Sequence, residues 1–206
     1  MVADDHPLLR NGLKQILTQE PDLTVAGEAE DSEQVMASVE RGEWDLVILD
    51  ITMPGRSGLD VLRDIRRMRP ELPVLVLSMH AEDQFAVRAI KAGANGYVSK
   101  DNAPTEVVRA VRKILSGKKY VSPTLAEILA NALSSDIQRP LHETLSDREF
   151  QVLRQLASGK TVSQIAAEIA LSVKTVSTYR ARLLEKMNLR NNAELTRYAI
   201  QHGLVE

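Results

Sequence analysis

Residues 44–50 read "WDLVILD". Leu46, Val47, Ile48 and Leu49 are apolar without alternation, so both faces of the segment must be covered, as in a strand buried inside a parallel sheet. The run stops at a carboxylate, Asp50. A lone acid at a strand end is most often a turn former or a helix cap. In an open parallel sheet, however, ligands bind beyond the carboxyl ends of the strands. Asp50 therefore has to be weighed together with whatever ends the neighbouring strands.

Those neighbours follow the same design. "LPVLVLSM" (72–79) is again apolar on both faces, and "GYVSK" (96–100) and "DLTVAGEA" (22–29) are further strand candidates. Helical spacing fills the gaps. It appears in "PLLRNGLKQILTQ" (7–19), "SEQVMASVERG" (32–42), "GLDVLRDIRRMRP" (58–70), "DQFAVRAIKAG" (83–93) and "PTEVVRAVRKILSG" (104–117), each closed by Gly, Pro or a polar residue. Strands alternating with helices predict an α/β domain over 1–117 with a doubly wound, parallel, five-stranded sheet. Only three residues precede Asp4, so the first strand is expected to be short, or the chain to begin inside it.

The period weakens over 118–142. "SPTLAEILANALSS" (122–135) reads as one helix and "DIQRPLHE" (136–143) as flexible, which makes this segment a linker with a helix. From 143 to 206 every pattern is helical, predicting a small all-α domain. "LSDREFQVLRQLASG" (145–159) opens with Ser146 and Glu149 at capping-box spacing, and Ser172 stands where it would cap "VKTVSTYRARLLEKMN". The short helix before that cap and the tight connection fit a helix-turn-helix.

Composition excludes several classes. The 206 residues contain no cysteine, which removes disulfides, thiolate metal sites and cysteine nucleophiles. No apolar run has the length of a membrane span and no leader pattern opens the chain, so a cytoplasmic protein without membrane contact is expected. Residues 141–206 carry nine basic and seven acidic residues, against 17 and 21 in the rest. A mildly basic back behind an acidic front suggests two domains with different partners.

Asp4 and Asp5 end the first strand, Asp50 the third and Ser78 the fourth, and Lys100 follows the fifth. Three carboxylates at one sheet edge repel unless a cation relieves them, and an oxygen-only set suits Mg2+ rather than Zn2+. An aspartate beside Mg2+ can attack phosphorus and form an aspartyl phosphate. Lys100 would then neutralise the transferred group and the Ser78 hydroxyl would bond one of its oxygens. His6 and His80 are expected to be structural or exposed.

"ADDHPLLR" (3–10), "LVILDITMPGRSGL" (46–59), "VLVLSMH" (74–80) and "GANGYVSK" (93–100) resemble the receiver domain of two-component response regulators. The resemblance implies that Asp50 takes a phosphoryl group from a sensor histidine kinase. It implies Mg2+ held directly by Asp5, Asp50 and the Thr52 carbonyl, with Asp4 acting through water. It also implies that Ser78 and Tyr97 form a switch pair and that Lys100 binds the phosphoryl group. Two other readings fit less well. A haloacid-dehalogenase-type phosphatase needs an acid two residues after the nucleophile, where Thr52 stands, and a flavodoxin-like cofactor binder needs a phosphate loop after the first strand.

The segment 144–206 resembles the LuxR-type helix-turn-helix domain, and the two together are similar to the NarL/FixJ class of response regulator. On helix 173–187, Val176, Leu183 and Met187 share a face that would bury. Lys174, Ser177, Thr178 and Ala181 form a second, small and polar stripe able to approach base edges in a major groove, beside Thr175. Arg180, Arg182 and Lys186 are placed to reach phosphates, and Thr161 and Ser163 to bind one through backbone N–H groups. The partners expected are double-stranded promoter DNA and, once phosphorylated, a second copy of the chain. On the last helix, Leu195, Tyr198 and Ala199 could either dimerise or pack within the domain. The expected function is that of a phosphorylation-controlled transcriptional regulator and not of an enzyme.

Overall fold

Five parallel strands, β1 (Val2–Ala3), β2 (Glu28–Ala29), β3 (Val47–Asp50), β4 (Val74–Ser78) and β5 (Gly96–Ser99), lie side by side in the order β2-β1-β3-β4-β5. They belong to a computed structural model that describes residues 1–53, 56–79, 84–134 and 140–205. The chain divides into two units, Met1–Asn131 and Ala132–Glu206.

The register places Ile48 beside Leu75 and Asp50 beside Leu77, with Leu77 beside Val98. Alternate residues of β3 and β4 thus face opposite sides, and both sides are fully buried. On one side, Ile48, Leu75, Leu77 and Val98 pack with residues of α1 (Pro7–Thr18) and α5 (Ala103–Leu115). The other side is covered by the helices α2 (Ser32–Arg41), α3 (Gly58–Met68) and α4 (Gln84–Lys91).

The first strand is short, as expected, and the second is shorter than its sequence pattern. Of the segment 22–29 only Glu28–Ala29 pairs, because β1 contributes only Val2 and Ala3 as partners. Two flanking bonds, Val2 N–H to the Gly27 carbonyl at 3.0 Å and Asp4 N–H to the Ala29 carbonyl at 3.1 Å, complete the contact. Helix ends also have more than one cause. Gly117 closes α5 with a φ of +79°, the left-handed conformation that favours glycine. Gly42 follows α2 in extended backbone, and a Cβ there would lie 2.7 Å from the Trp44 indole nitrogen. Trp44 donates from that nitrogen to the Ser38 carbonyl at 2.8 Å, so the indole seals the end of α2.

After α5 the chain returns to the sheet. Tyr120 bridges to Gly96 and is buried in the same core, ahead of α6 (Pro123–Ser134), so the segment from 118 begins by packing onto the first unit. Residue 135 of the expected helix, residues 136–139 of the expected flexible segment, and also His80, lie outside the described residues.

Beyond the end of α6, the second unit contains a single 3-10 turn, Leu141–Thr144, followed by α7 (Asp147–Ala157), α8 (Val162–Glu168), α9 (Val173–Lys186) and α10 (Asn192–Gln201). The capping box of α7 is present in both directions between Ser146 and Glu149, and Ser172 caps α9 through Thr175 N–H. Thr161 and Gln164 form a second capping box on α8. Phe150, Leu153, Ile165, Val176, Leu183 and Leu195 form the fully buried interior. Between α8 and α9 the chain turns through Ala170, with φ +51°, and Leu171 N–H closes the turn on the Ala166 carbonyl at 2.9 Å. A left-handed alanine costs energy that a glycine would not. No described helix is long and apolar enough to cross a membrane.

Candidate functional site

The carboxyl ends of β1, β3, β4 and β5 meet at one edge of the sheet, and the parallel register carries the expected side chains there together. Asp4 and Asp50 are wholly buried, Asp5 is half-buried, and Ser78, Tyr97 and Lys100 are buried. Lys100 is the hub. Its Nζ donates to Asp50 Oδ2 at 2.7 Å and lies 2.8 Å from Asp4 Oδ2. Burial alone would push the Lys100 ammonium down, but the Asp50 and Asp4 charges outweigh that and hold it above the usual lysine range.

Thr52 holds the other side of Asp50. Its backbone N–H and its hydroxyl both donate to Asp50 Oδ1, at 2.8 and 2.6 Å. The loop carrying Thr52 is tightly packed. A Cβ on Gly58, at the start of α3, would fall 2.3 Å from Ile51 Cα, so only glycine lets helix and loop approach this closely. Ser78 and Lys100 are tied by a backbone bond, Lys100 N–H to the Ser78 carbonyl at 2.7 Å.

Two residues of the site were not singled out from the sequence as members of it. Arg10, buried on α1, donates to the Asp4 carbonyl at 2.7 Å and pairs with Glu28 and Glu30, so it anchors the short β1 at its acidic end. His6 is exposed, as expected, yet its Nδ1 sits 2.8 Å from Asp5 Oδ1 and 3.2 Å from Asp4 Oδ1. An acid three residues from an arginine-bearing helix, and a histidine next to two acids, were the only sequence signals for these roles.

The cluster carries surplus negative charge. Three carboxylates face one ammonium, and one ligand atom from each of Asp4, Asp5, His6 and Asp50 falls within 4.8 Å of all the others. Asp4 Oδ2 and Asp5 Oδ1 are buried, and beyond the close approach of Lys100 Nζ to the first and His6 Nδ1 to the second they have no hydrogen-bond partner among the described residues. Hard oxygens with unused lone pairs in a negatively charged recess are a donor set that fits a divalent cation.

In the second unit, Lys174, Ser177, Thr178, Ala181 and Arg182 are all exposed along α9, whereas Val176, Leu183 and Met187 are buried. Thr161 and Ser163 are exposed at the start of α8. Thr175 is half-buried, its hydroxyl 2.7 Å from that of Ser172. Two residues expected at phosphates are engaged within the domain instead. Arg180 donates to Asn192 Oδ1 at 2.8 Å, and Lys186 to Glu149 Oε2 at 2.7 Å. On α10, Leu195 and Ala199 are wholly buried in their own domain. The Tyr198 hydroxyl bonds the backbone and ring of His142, at 3.3 and 3.0 Å, and burial pushes the phenol up. Of the two fates open to these three residues, packing within the domain is the one observed.

Comparison with known proteins agrees with both units. Residues 1–112 match the response regulator receiver domain, and residues 143–199 match the bacterial regulatory proteins of the luxR family. The chain is 35% identical to the response regulator UvrY of Escherichia coli K12 over 205 residues, covering 99% of this chain and 94% of UvrY. It is also 35% identical to the response regulator GacA of Pseudomonas aeruginosa over 207 residues, covering 100% and 97%. Among solved structures it is similar to RcsB of Salmonella enterica serovar Typhimurium bound to the promoter rprA with the phosphomimetic BeF3−, with a TM-score of 0.64 at 28% identity over 96% of this chain and 95% of that one. A response regulator of the LuxR family from Aurantimonas gives 0.61 at 34% identity, over 66% and 96%. The chain belongs to the two-component response regulators of the NarL/FixJ type, with a receiver followed by a LuxR-type DNA-binding domain. Proteins of this organisation are transcription factors and not enzymes.

Proposed function

We propose that Asp50 is the phosphoryl acceptor and that its phosphorylation controls promoter binding by α9. The observation that carries this reading is the wholly buried Asp50 held from both sides, by Thr52 on Oδ1 and by Lys100 on Oδ2, beside two further acids. A carboxylate with no signalling chemistry to perform would not be desolvated in such company, because burying like charges together is costly.

The donor is a phosphohistidine on a sensor kinase. An Asp50 carboxylate oxygen forms a bond to phosphorus while the bond from phosphorus to the imidazole nitrogen breaks, and the electron pair leaves with that ring. Asp5, Asp50 and the Thr52 carbonyl would hold Mg2+ directly, with Asp4 acting through water, and the ion would supply positive charge against the repulsion between these carboxylates and the incoming phosphoryl oxygens. Lys100, already ion-paired with Asp50, is placed to pair with the phosphoryl group. The Ser78 hydroxyl bonds the same group, and the buried Tyr97 ring, on the adjacent strand, is the partner that reports the change.

The domains read as a receiver over 1–117, a linker over 118–142 and the DNA-binding domain over 143–206. In the last, Lys174, Ser177, Thr178 and Ala181 face bases, with Thr175 beside them. Arg182 and the N-terminal end of α8 at Thr161 and Ser163 meet phosphates, while Arg180 and Lys186 reach them only on leaving their intradomain partners. One helix-turn-helix reads too few bases, so the phosphorylated form binds as a homodimer on two half-sites. The protein acts in the cytoplasm, where kinase and promoter are both accessible. The test is selection of random duplexes by the full chain with and without a phosphoryl mimic, with sedimentation on the same samples. Sequence selection and dimer formation should both strengthen with the mimic. A wild-type protein that selects no sequence in either state overturns the reading.

A further inference from the structure

We propose that His6 Nδ1 is a further protein ligand of the acidic cup, which widens the site from Mg2+ to borderline first-row cations such as Co2+. This inference rests on the metal-cup reading above and goes beyond it, because the oxygen-only set expected from the sequence has no nitrogen donor.

The geometry supports it in three ways. First, His6 Nδ1 stands 2.8 Å from Asp5 Oδ1 and 3.2 Å from Asp4 Oδ1. An octahedral cation with bonds near 2.1 Å places neighbouring ligand atoms roughly 3 Å apart. The ring nitrogen is thus already at ligand spacing from Asp5, the direct ligand beside it. Second, the ring is held there by its own backbone. His6 N–H donates to Asp4 Oδ1 at 2.8 Å, and Pro7 starts α1 directly after it, so the turn that presents the imidazole is fixed on both sides. Third, Lys100 Nζ, the ammonium that pairs with Asp4 and Asp50, lies 3.4 Å from Nδ1, so the ring nitrogen stands within the same charged cluster as the carboxylates. The wholly buried Asp4, ion-paired with Lys100 through Oδ2, offers a ligand atom within 4.8 Å of those of Asp5, His6 and Asp50.

Imidazole discriminates among cations. It adds little to Mg2+, which prefers oxygen and keeps its waters, and more to metals later in the first row. Removing His6 should therefore leave Mg2+ affinity within about twofold and weaken Co2+ by about tenfold or more, since loss even of an outer-shell partner of a metal site costs about 10–100-fold.

The experiment uses the full chain as wild type, His6→Ala and Asp5→Asn. Mg2+ and Co2+ are titrated calorimetrically, and Mn2+-loaded samples are examined by pulsed electron paramagnetic resonance for coupling to a 14N nucleus. Wild type should show imidazole 14N coupling that is absent from His6→Ala, together with the selective loss of Co2+ affinity. Retained Mg2+ binding shows that His6→Ala is folded. If Mg2+ binds wild type and is lost in Asp5→Asn, but Co2+ affinity is the same with and without His6 and no nitrogen coupling is seen, the role of His6 is overturned while the cup stands. If neither cation binds wild type, the cup reading fails and the His6 proposal with it.

Discussion

Lys186, in the last turn of α9, donates to Glu149 Oε2 at 2.7 Å, and the same oxygen accepts from Ser146 N–H at 2.8 Å. One carboxylate therefore closes the capping box of α7 and ties down the far end of the helix that presents residues to DNA. The two partners are 37 residues apart in sequence. Burial raises the Glu149 carboxyl, but its bonds to Lys186 and Ser146 prevail and hold it below the usual glutamate range.

This pair separates holding the helix from touching DNA. Lys186→Met should lower the opening free energy of α7 by about 1 kcal/mol, since the pair is half-exposed at Lys186. Amide hydrogen exchange along α7 and α9 measures this. Because Glu149 has a depressed value in the fold, its contribution is complete above about pH 4.5 and is lost as pH falls through that lower value. The difference between wild type and Lys186→Met should shrink over the same acid range.

Arg182 should behave in the opposite way. It is exposed on α9, so Arg182→Ala should reduce the salt dependence of DNA binding by roughly one unit and weaken all sequences alike. Lys186→Met should leave that slope unchanged. Replacing Thr178 should alter base preference, at about 1–3 kcal/mol for a lost good contact. Binding measured at several salt concentrations on a preferred and a scrambled duplex distinguishes the three; equal slopes for Arg182→Ala and wild type would remove Arg182 from the interface.

Asp50→Asn should abolish acyl-phosphate formation from a small phosphodonor in Mg2+, with the fold intact because Lys100 keeps Asp4 as a partner. Phosphate-affinity electrophoresis reads this directly. Undiminished hydroxylamine-labile phosphate on the variant would place the acceptor elsewhere.

Mg2+ should raise the melting temperature of the wild-type receiver unit, since a ligand bound only by the native state adds about 2.7 kcal/mol at one hundred times its dissociation constant. Asp5→Asn should lose most of this gain. An equal response from both proteins would sink the assignment.

Two backbone positions should respond with opposite signs. Gly58→Ala forces a Cβ to within 2.3 Å of Ile51 Cα, and overpacking of that kind costs about 1–3 kcal/mol. It should also slow phosphorylation, because the displaced loop carries Thr52. Ala170→Gly relieves a φ of +51° in the turn between α8 and α9 and should stabilise the second unit by about 1 kcal/mol. Thermal unfolding of each variant checks both.

The amino-acid pattern alone specifies the alternation of strands and helices, because both-face burial of "LVIL" and "VLVL" and the 3.6-residue spacing of the helices are local patterns. It also determined which chemistry collects at the sheet edge. In a parallel sheet every strand points the same way, so residues at the ends of apolar runs, Asp4, Asp50, Ser78 and Lys100, must arrive on one edge. The caps Ser146 and Ser172 were legible for the same reason, since a cap bonds to a residue three positions on. Where the long charged side chains go depends on the packing of distant elements. Arg10 turns to the Asp4 carbonyl, Arg180 to Asn192 and Lys186 to Glu149, and Leu195 and Ala199 face inward. Periodicity gives the face on which such a residue stands. Its partner depends on which element is packed within reach of a flexible side chain, and that distance exists only once the chain has folded.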